Sequence, residues 1–501
     1  MLSAPLLCSS VRACGALVAF VVLLVLPAGA GAALISGTPK PDRITGTANA
    51  DRIDAVFGGV DHVRCGKGVD AVTADAADVV ASDCELVSRV ISTDTLGSAA
   101  GQHGTEVEPS VAGWGSTAVA AFQVGRFQDG GAAGIGWARS TDSGRTWRSG
   151  ILPAVTTAST PPGNAPRASD PAVAYDAAHS TWLASTLVLG DDFTALGISR
   201  SSDGATWSAP VLAATFTSTF LAYDKEWVGC DNTSTSPFAG SCYLVYTDEV
   251  TPRIAVQVSH DGGSTWSAPV TVTSAFANDA EGALPVIQPN GTLTVVLNAG
   301  DSGIYAVRST DGGATFGLPV GISAISEARI PFLRAPALPA AAVDASGRIY
   351  VVWADCVFRR GCGGNTIVLS TSTDGATWSA PSRVPGTGFD SFVPGIAADP
   401  AKSGRISVVT YVRTAGACAA SSCTLGVSVT DSRDGGVHWT KPQRLDGVAP
   451  KYAWLAAAGG RFLGDYVGAT FAGGRFVPVF ALAEKPQAGR LREFMLAASL
   501  S

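Results

Sequence analysis

The chain has 501 residues, 46% of them apolar and only 15% charged, with a formal net charge of −7. A charged fraction well below the usual quarter, with acid in excess of base, excludes a disordered chain and a surface built to neutralise phosphates, so no nucleic-acid partner is expected. Fifty-eight glycines and 28 prolines imply frequent turns, hence many short strands.

Residues 1–33 carry Arg12, an apolar run from Ala16 to Leu26, Pro27, and small-residue cleavage options at Ala28-Gly29-Ala30 and Ala30-Gly31-Ala32. This is the layout of a secretory signal peptide. The run is shorter than the roughly 18 apolar residues a spanning helix needs, so a secreted, extracellular chain without a membrane span is expected. Beyond Cys8 and Cys14, eight cysteines fall into four near neighbours: Cys65 with Cys84, Cys230 with Cys242, Cys356 with Cys362, and Cys418 with Cys423. Local disulfides are the natural pairing in an oxidising compartment. Scattered histidines and the lack of any C-x-x-C argue against zinc.

Between Thr38 and Glu85 an aspartate followed two residues later by an aliphatic residue recurs at Asp42, Asp51, Asp61, Asp70 and Asp78, about every nine residues. The stretch Gly66-Lys67-Gly68-Val69-Asp70 resembles the RTX (haemolysin-type) calcium-binding nonapeptide repeats. That resemblance implies a small β-roll over residues 36–87, with Gly59, Asp61, Gly66, Gly68 and Asp70 placed to hold calcium. A degenerate, metal-free roll held by Cys65 and Cys84 is the alternative. No organic cofactor is expected.

A second repeat fills most of the remainder. It reads Ser140-Thr-Asp142-Ser-Gly-Arg-Thr-Trp147, then Ser201 to Trp207, Ser259 to Trp266, Ser309 to Phe316, Ser372 to Trp378 and Ser432 to Trp439, with aspartates 50 to 63 residues apart. Serine and aspartate can bond nearby backbone N–H groups, glycine supplies a positive φ, and the aromatic packs on the sheet, so each copy predicts a hairpin turn. Strand-like pairs flank each turn, as at Ala340 to Val343 and Ile349 to Trp353, which predicts four strands per repeat.

These turns resemble the Asp boxes, or bacterial neuraminidase repeats, of the sialidase superfamily. The resemblance implies an all-β fold: a β-propeller over residues 105–501 with four-stranded antiparallel blades and six boxes, seven blades favoured and six the alternative. Residues 88–104 are then a linker, with Val87 to Ser92 as a ring-closing strand. Polar residues opening each repeat would converge at the mouth of the ring: Glu106, Glu108, Asp170, Asp224, Lys225, Glu226, Glu281, Arg334, Asp390, Asp465 and Tyr466. By the same resemblance Tyr466 would be the nucleophile, Glu108 its base, Asp170 the acid, and Arg334 with Arg126 the clamps on a substrate carboxylate. The family's Arg-Ile-Pro ahead of the first box is replaced by Glu106-Val-Glu108-Pro. The expected activity is that of an exo-α-sialidase or a related glycoside hydrolase on extracellular glycans. The alternative is a noncatalytic glycan- or protein-binding module with a calcium-stabilised stem; a monomer is expected in either case.

Overall fold

The computed structural model describes residues 32–97, 101–276, 279–419 and 421–501; the expected signal peptide lies outside them but for its last two residues. Strands begin at once, and they are parallel. Leu34–Ser36, Arg52–Ala55, Ala71–Ala74 and Leu86–Val90 stack in register as one ladder, while Arg43–Thr45, His62–Arg64 and Val79–Val80 stack as a second. Each coil therefore contributes one strand to each ladder.

The recurring aspartates explain why the coils stack. Asp51 Oδ1 accepts a hydrogen bond from the Ala33 N–H at 2.8 Å, Asp61 Oδ1 from Asp42 at 2.8 Å, Asp70 Oδ1 from Asp51 at 2.6 Å, and Asp78 Oδ1 from Asp61 at 2.9 Å. Each carboxylate reaches back one coil and satisfies a backbone donor that the turn would otherwise leave without a partner. Ile44, Ile53, Val63 and Val72 fill the space between the ladders, and the Cys65–Cys84 disulfide ties adjacent coils.

The coil stack does not end as a separate unit. Leu86–Val90 pairs antiparallel with the C-terminal strand Arg490–Ala498, which also bridges to Gln102–Trp114, so that a single 15-stranded sheet runs from the first coil to Val211–Thr217. Four further sheets are four-stranded and antiparallel, opening at Tyr223, Glu281, Ala340 and Asp390; a three-stranded and a two-stranded sheet complete the set among the described residues.

This pairing corrects the expected seven-bladed propeller, and its six-bladed alternative, with a detached β-roll. The chain is all-β, but its strands build stacked coils of a β-solenoid together with many separate sheets, and only four sheets have the expected separate four-stranded form. The physical reason is long-range. A box every 60 residues or so reports local turns, whereas how sheets join depends on pairings such as Val90 with Leu496, which no local repeat encodes.

The six turns form as their chemistry predicts. In the first, Ser140 Oγ accepts the Gly144 N–H at 2.9 Å, Asp142 Oδ1 accepts the Thr146 N–H at 2.9 Å, and Thr146 Oγ1 donates to Asp142 Oδ2 at 2.7 Å. The same serine-to-glycine bond recurs at Ser201, Ser259, Ser309, Ser372 and Ser432. Cys230 pairs with Cys242, Cys356 with Cys362 and Cys418 with Cys423. Among the described residues no helix is long and apolar enough to cross a membrane.

Candidate functional site

Five strands that open a sheet or a repeat share one irregularity. Their pairing registers slip at Val107/Ser110, Ser169/Ala172, Asp224/Trp227, Glu281/Leu284 and Phe392/Pro394. At these bulges Glu108, Asp170, Lys225, Gly282 and Val393 take φ values of 55°, 45°, 51°, 63° and 47°. For the four non-glycine residues this left-handed backbone costs on the order of 1–2 kcal/mol each. A bulge re-aims a side chain out of the strand's alternation, and here three of them send Glu108, Asp170 and Lys225 to one point.

Lys225 is the hub. Its Nζ lies 2.5 Å from Asp465 Oδ2, 3.4 Å from Asp170 Oδ1 and 4.0 Å from Glu108 Oε1, with the side chain 8% exposed. Arg334 grips Asp465 with two bonds, Nε to Oδ1 at 3.2 Å and Nη2 to Oδ2 at 2.5 Å. Glu108 accepts from Gln123 Nε2 and from the Asp465 N–H at 3.3 Å, while Gln123 also bonds Ser169 Oγ at 3.0 Å and accepts from Arg126 Nη1 at 2.6 Å. Phe462 lies between the two arginines, each guanidinium 4.8 Å from its ring centroid.

These groups line a cleft of about 520 Å³ shared by Glu108, Arg126, Ser169, Asp170, Asp224, Lys225 and Arg334. Past Arg334 a second chamber of about 380 Å³ adds Glu281, Glu327, Arg329 and Asp465. A smaller channel of about 200 Å³, which shares Asp170 and Lys225 with the cleft, is lined by Glu226, Trp227 and Tyr466. The sizes suit a sugar-sized ligand in the cleft rather than in the channel.

Burial and crowding divide the carboxyls. Glu108 is pushed up to about 7 by burial and by Asp170, with Lys225 opposing. Asp224 is also pushed up to about 7, by burial and by Asp170, to whose carboxylate it is hydrogen-bonded. Asp465 goes the other way: burial would raise it, but Lys225 and Arg334 together hold it below the usual carboxylate range. Lys225 is held well above the usual lysine range because Asp170, Asp465 and Glu108 outweigh its burial. Two carboxyls poised near neutrality beside one held ionised is the arrangement that acid–base chemistry uses.

The raised carboxyls make stability depend on pH. Glu106 and Glu484 sit at about 8, and Glu108, Asp224 and Glu327 at about 7, burial being the first cause each time. A carboxyl whose folded value exceeds its unfolded value of about 4 binds more protons when folded, so its contribution is lost as pH rises through the folded value. Asp465 opposes this only in acid, where its contribution is lost as pH falls below about 4. The urea midpoint is therefore expected to be higher at pH 5 than at pH 8. A midpoint that rises over that interval would contradict these protonation states.

The sequence-derived candidates separate into three groups. Glu108, Asp170, Arg334 and Arg126 meet at the cleft, with Asp224, Lys225 and Asp465. Tyr466 lines the channel instead: its hydroxyl donates to the Pro171 carbonyl at 3.4 Å, its ring stands edge-on to Trp227 at 5.1 Å, and burial with the nearby Glu108 and Asp170 pushes the phenol well above its ordinary value. Glu106 and Asp390 lie elsewhere, Glu106 accepting from Ser92 Oγ at 3.1 Å and Asp390 paired with Arg413 at 2.8 Å. Gln123, Ser169 and Phe462 carried no motif that singled them out. In the coil stack, the Asp61 and Asp70 carboxylates accept the Asp42 and Asp51 N–H groups, and among the described residues no three acidic, histidine or cysteine groups are placed to hold a metal ion.

No family model matches the chain, and no curated protein matches it. Similar solved structures include the α-L-arabinofuranosidase Arb93A from Fusarium graminearum, 15% identical, covering 68% of this chain and 95% of its own, with a TM-score of 0.44. The NanB sialidase from Streptococcus pneumoniae is 13% identical over 82% of this chain and 70% of its own, TM-score 0.43. An α-L-arabinanase from Penicillium chrysogenum is 13% identical over 82% and 98%, TM-score 0.42. None is similar enough to assign a residue role or a substrate here.

Proposed function

We propose that the chain is an exported glycoside hydrolase that cleaves extracellular glycans in the cleft around Lys225. The observation that carries this reading is the convergence of Glu108 and Asp170 on one buried lysine, with Asp224 bonded to Asp170 and two of these three carboxyls near neutrality. Asp224, half-buried at the cleft, bonded to Asp170 and pushed up to about 7, gives its proton to the leaving oxygen. Glu108, once deprotonated, takes a proton from the attacking water. Lys225 holds the acids in one geometry and keeps Asp170 and Asp465 from repelling each other.

Neutral sugars suit this cleft better than sialic acids. A sialoside brings its own carboxylate, which the acids around Lys225 repel. Arg334 is already committed to Asp465, and Arg126 to Gln123. Tyr466, protonated and bonded to a carbonyl, is not poised as a nucleophile.

The test is a panel of aryl glycosides, neutral pentosides and hexosides beside an α-sialoside, given to the chain from residue 34 onward and to Glu108→Gln. Turnover of at least one neutral glycoside, reduced about 10²–10⁴-fold by the substitution, is expected. Turnover of the sialoside alone would restore the sialidase reading. Glycan binding without any turnover would make the protein a binding module.

A further inference from the structure

The chamber beyond Arg334 has a wall built unlike the rest of the fold. Residues 324–339, between strands Val320–Ser323 and Ala340–Val343, form no helix or strand; Leu333 alone makes an isolated bridge, to Arg461. Loops longer than about 12–15 residues without secondary structure are uncommon in a compact fold and are usually either functional or disordered. This one is pinned along its length. The Cys356 N–H donates to the Ser326 carbonyl at 2.7 Å, and Asn365 both accepts the Ala328 N–H at 2.8 Å and donates to the Ala328 carbonyl at 2.7 Å. Farther on, the Arg334 N–H donates to the Arg461 carbonyl and the Arg461 N–H to the Phe332 carbonyl, both at 2.9 Å. A wall fixed in advance costs less ordering entropy when a ligand arrives.

The chamber presents hydrogen-bonding groups of both kinds. Arg329 is exposed, lines the chamber and, among the described residues, has no hydrogen bond or ion pair. Glu327 and the half-buried Glu281 line it as acceptors, and Leu333 and Pro336 add apolar surface. A guanidinium only donates and an ionised carboxyl only accepts, whereas each hydroxyl of a neutral sugar does both, so one ring can satisfy the two together while its C–H face lies on the apolar part. Arg334, its side chain 37% exposed, lines this chamber and the cleft alike, so spaces of about 380 and 520 Å³ meet at one side chain.

We propose that the chamber is a second sugar subsite, so that the substrate is a neutral oligosaccharide chain running past Arg334 rather than a single glycoside. The proposal rests on the glycoside-hydrolase reading of the cleft. An acidic ring in the chamber would gain Arg329 but meet Glu281, Glu327 and Asp465, which repel it. Arg329 is the residue that recognises length: it lines the chamber and not the cleft.

Binding and turnover test this separately. Xylotriose, arabinotriose, cellotriose and galactotriose, each beside its monosaccharide, are titrated calorimetrically into the Glu108→Gln chain from residue 34 onward, which slows hydrolysis during the titration. At least one trisaccharide is expected to bind about tenfold or more tightly than its monosaccharide, as one or two charge-assisted bonds predict. Adding Arg329→Ala should shrink that ratio to about twofold or less, and Glu327→Gln should also lower it. In the parent chain, kcat/KM on the matching aryl glycosides should rise about tenfold with length, mainly through KM, and Arg329→Ala should abolish the rise. Length-dependent binding lost in Arg329→Ala, without any turnover, would keep the subsite and overturn the hydrolase. Turnover of short aryl glycosides with no gain on extension would keep the hydrolase and overturn the subsite. A trisaccharide gain untouched by both Arg329→Ala and Glu327→Gln, or no gain for any of the four, would also overturn it.

Discussion

Lys225→Met is expected to destabilise the protein by about 3–5 kcal/mol at pH 8, the cost of leaving buried carboxylates without their counter-charge. The lysine is 8% exposed and lies within 4.0 Å of Asp170, Asp465 and Glu108, so water cannot replace it. The penalty should shrink at pH 5. There Glu108 and Asp224, poised near 7, are protonated and no longer require the ammonium. Urea unfolding of parent and variant at both pH values measures this as a change in midpoint at constant slope. A loss that is the same at pH 5 and pH 8 would show that the lysine acts through packing of its stem rather than through charge.

Asp224→Asn should lower turnover about 10²–10⁴-fold on glycosides with poor leaving groups, because amide nitrogen cannot supply the proton. The same variant should retain most of its rate on a 2,4-dinitrophenyl glycoside, whose leaving group departs without protonation. Its stability should not fall, since the substitution removes a carboxyl crowded by Asp170 and burial. Equal losses on both substrates would assign Asp224 to binding or folding instead.

The parts legible in the sequence were those settled within a few residues. A box turn closes inside eight positions, and the four disulfides join cysteines 5 to 19 residues apart, so local chemistry fixes them. The aspartate period in the first coils was equally visible, but its carboxylates reach the backbone of the neighbouring coil, as Asp70 does to Asp51. The architecture was misjudged because Leu86–Val90 joins a strand 400 residues away, a pairing that repeat counting cannot supply.

At the site, opening positions of repeats drew attention to Glu108, Asp170 and Arg334, which the fold brings to one cleft. The hub was less visible. Only a bulge with a left-handed residue turns Lys225 inward, and no motif marks that bulge. Tyr466 follows Asp465 directly, but the pair sits in a bend outside any strand, where neighbours need not share a side. Asp465 therefore meets Lys225 and Arg334, while Tyr466 meets Trp227 and the Pro171 carbonyl.

Acid–base hydrolysis in this cleft needs Glu108 and Asp224 both poised near 7, and the pH dependence of kcat/KM on a neutral aryl glycoside tests that most directly. A bell centred near pH 7 is predicted, its acid limb set by protonation of Glu108 and its alkaline limb by ionisation of Asp224, with Asp224→Asn losing the alkaline limb. A rate flat from pH 5 to 9, or a bell unchanged in shape by Asp224→Asn, would contradict it.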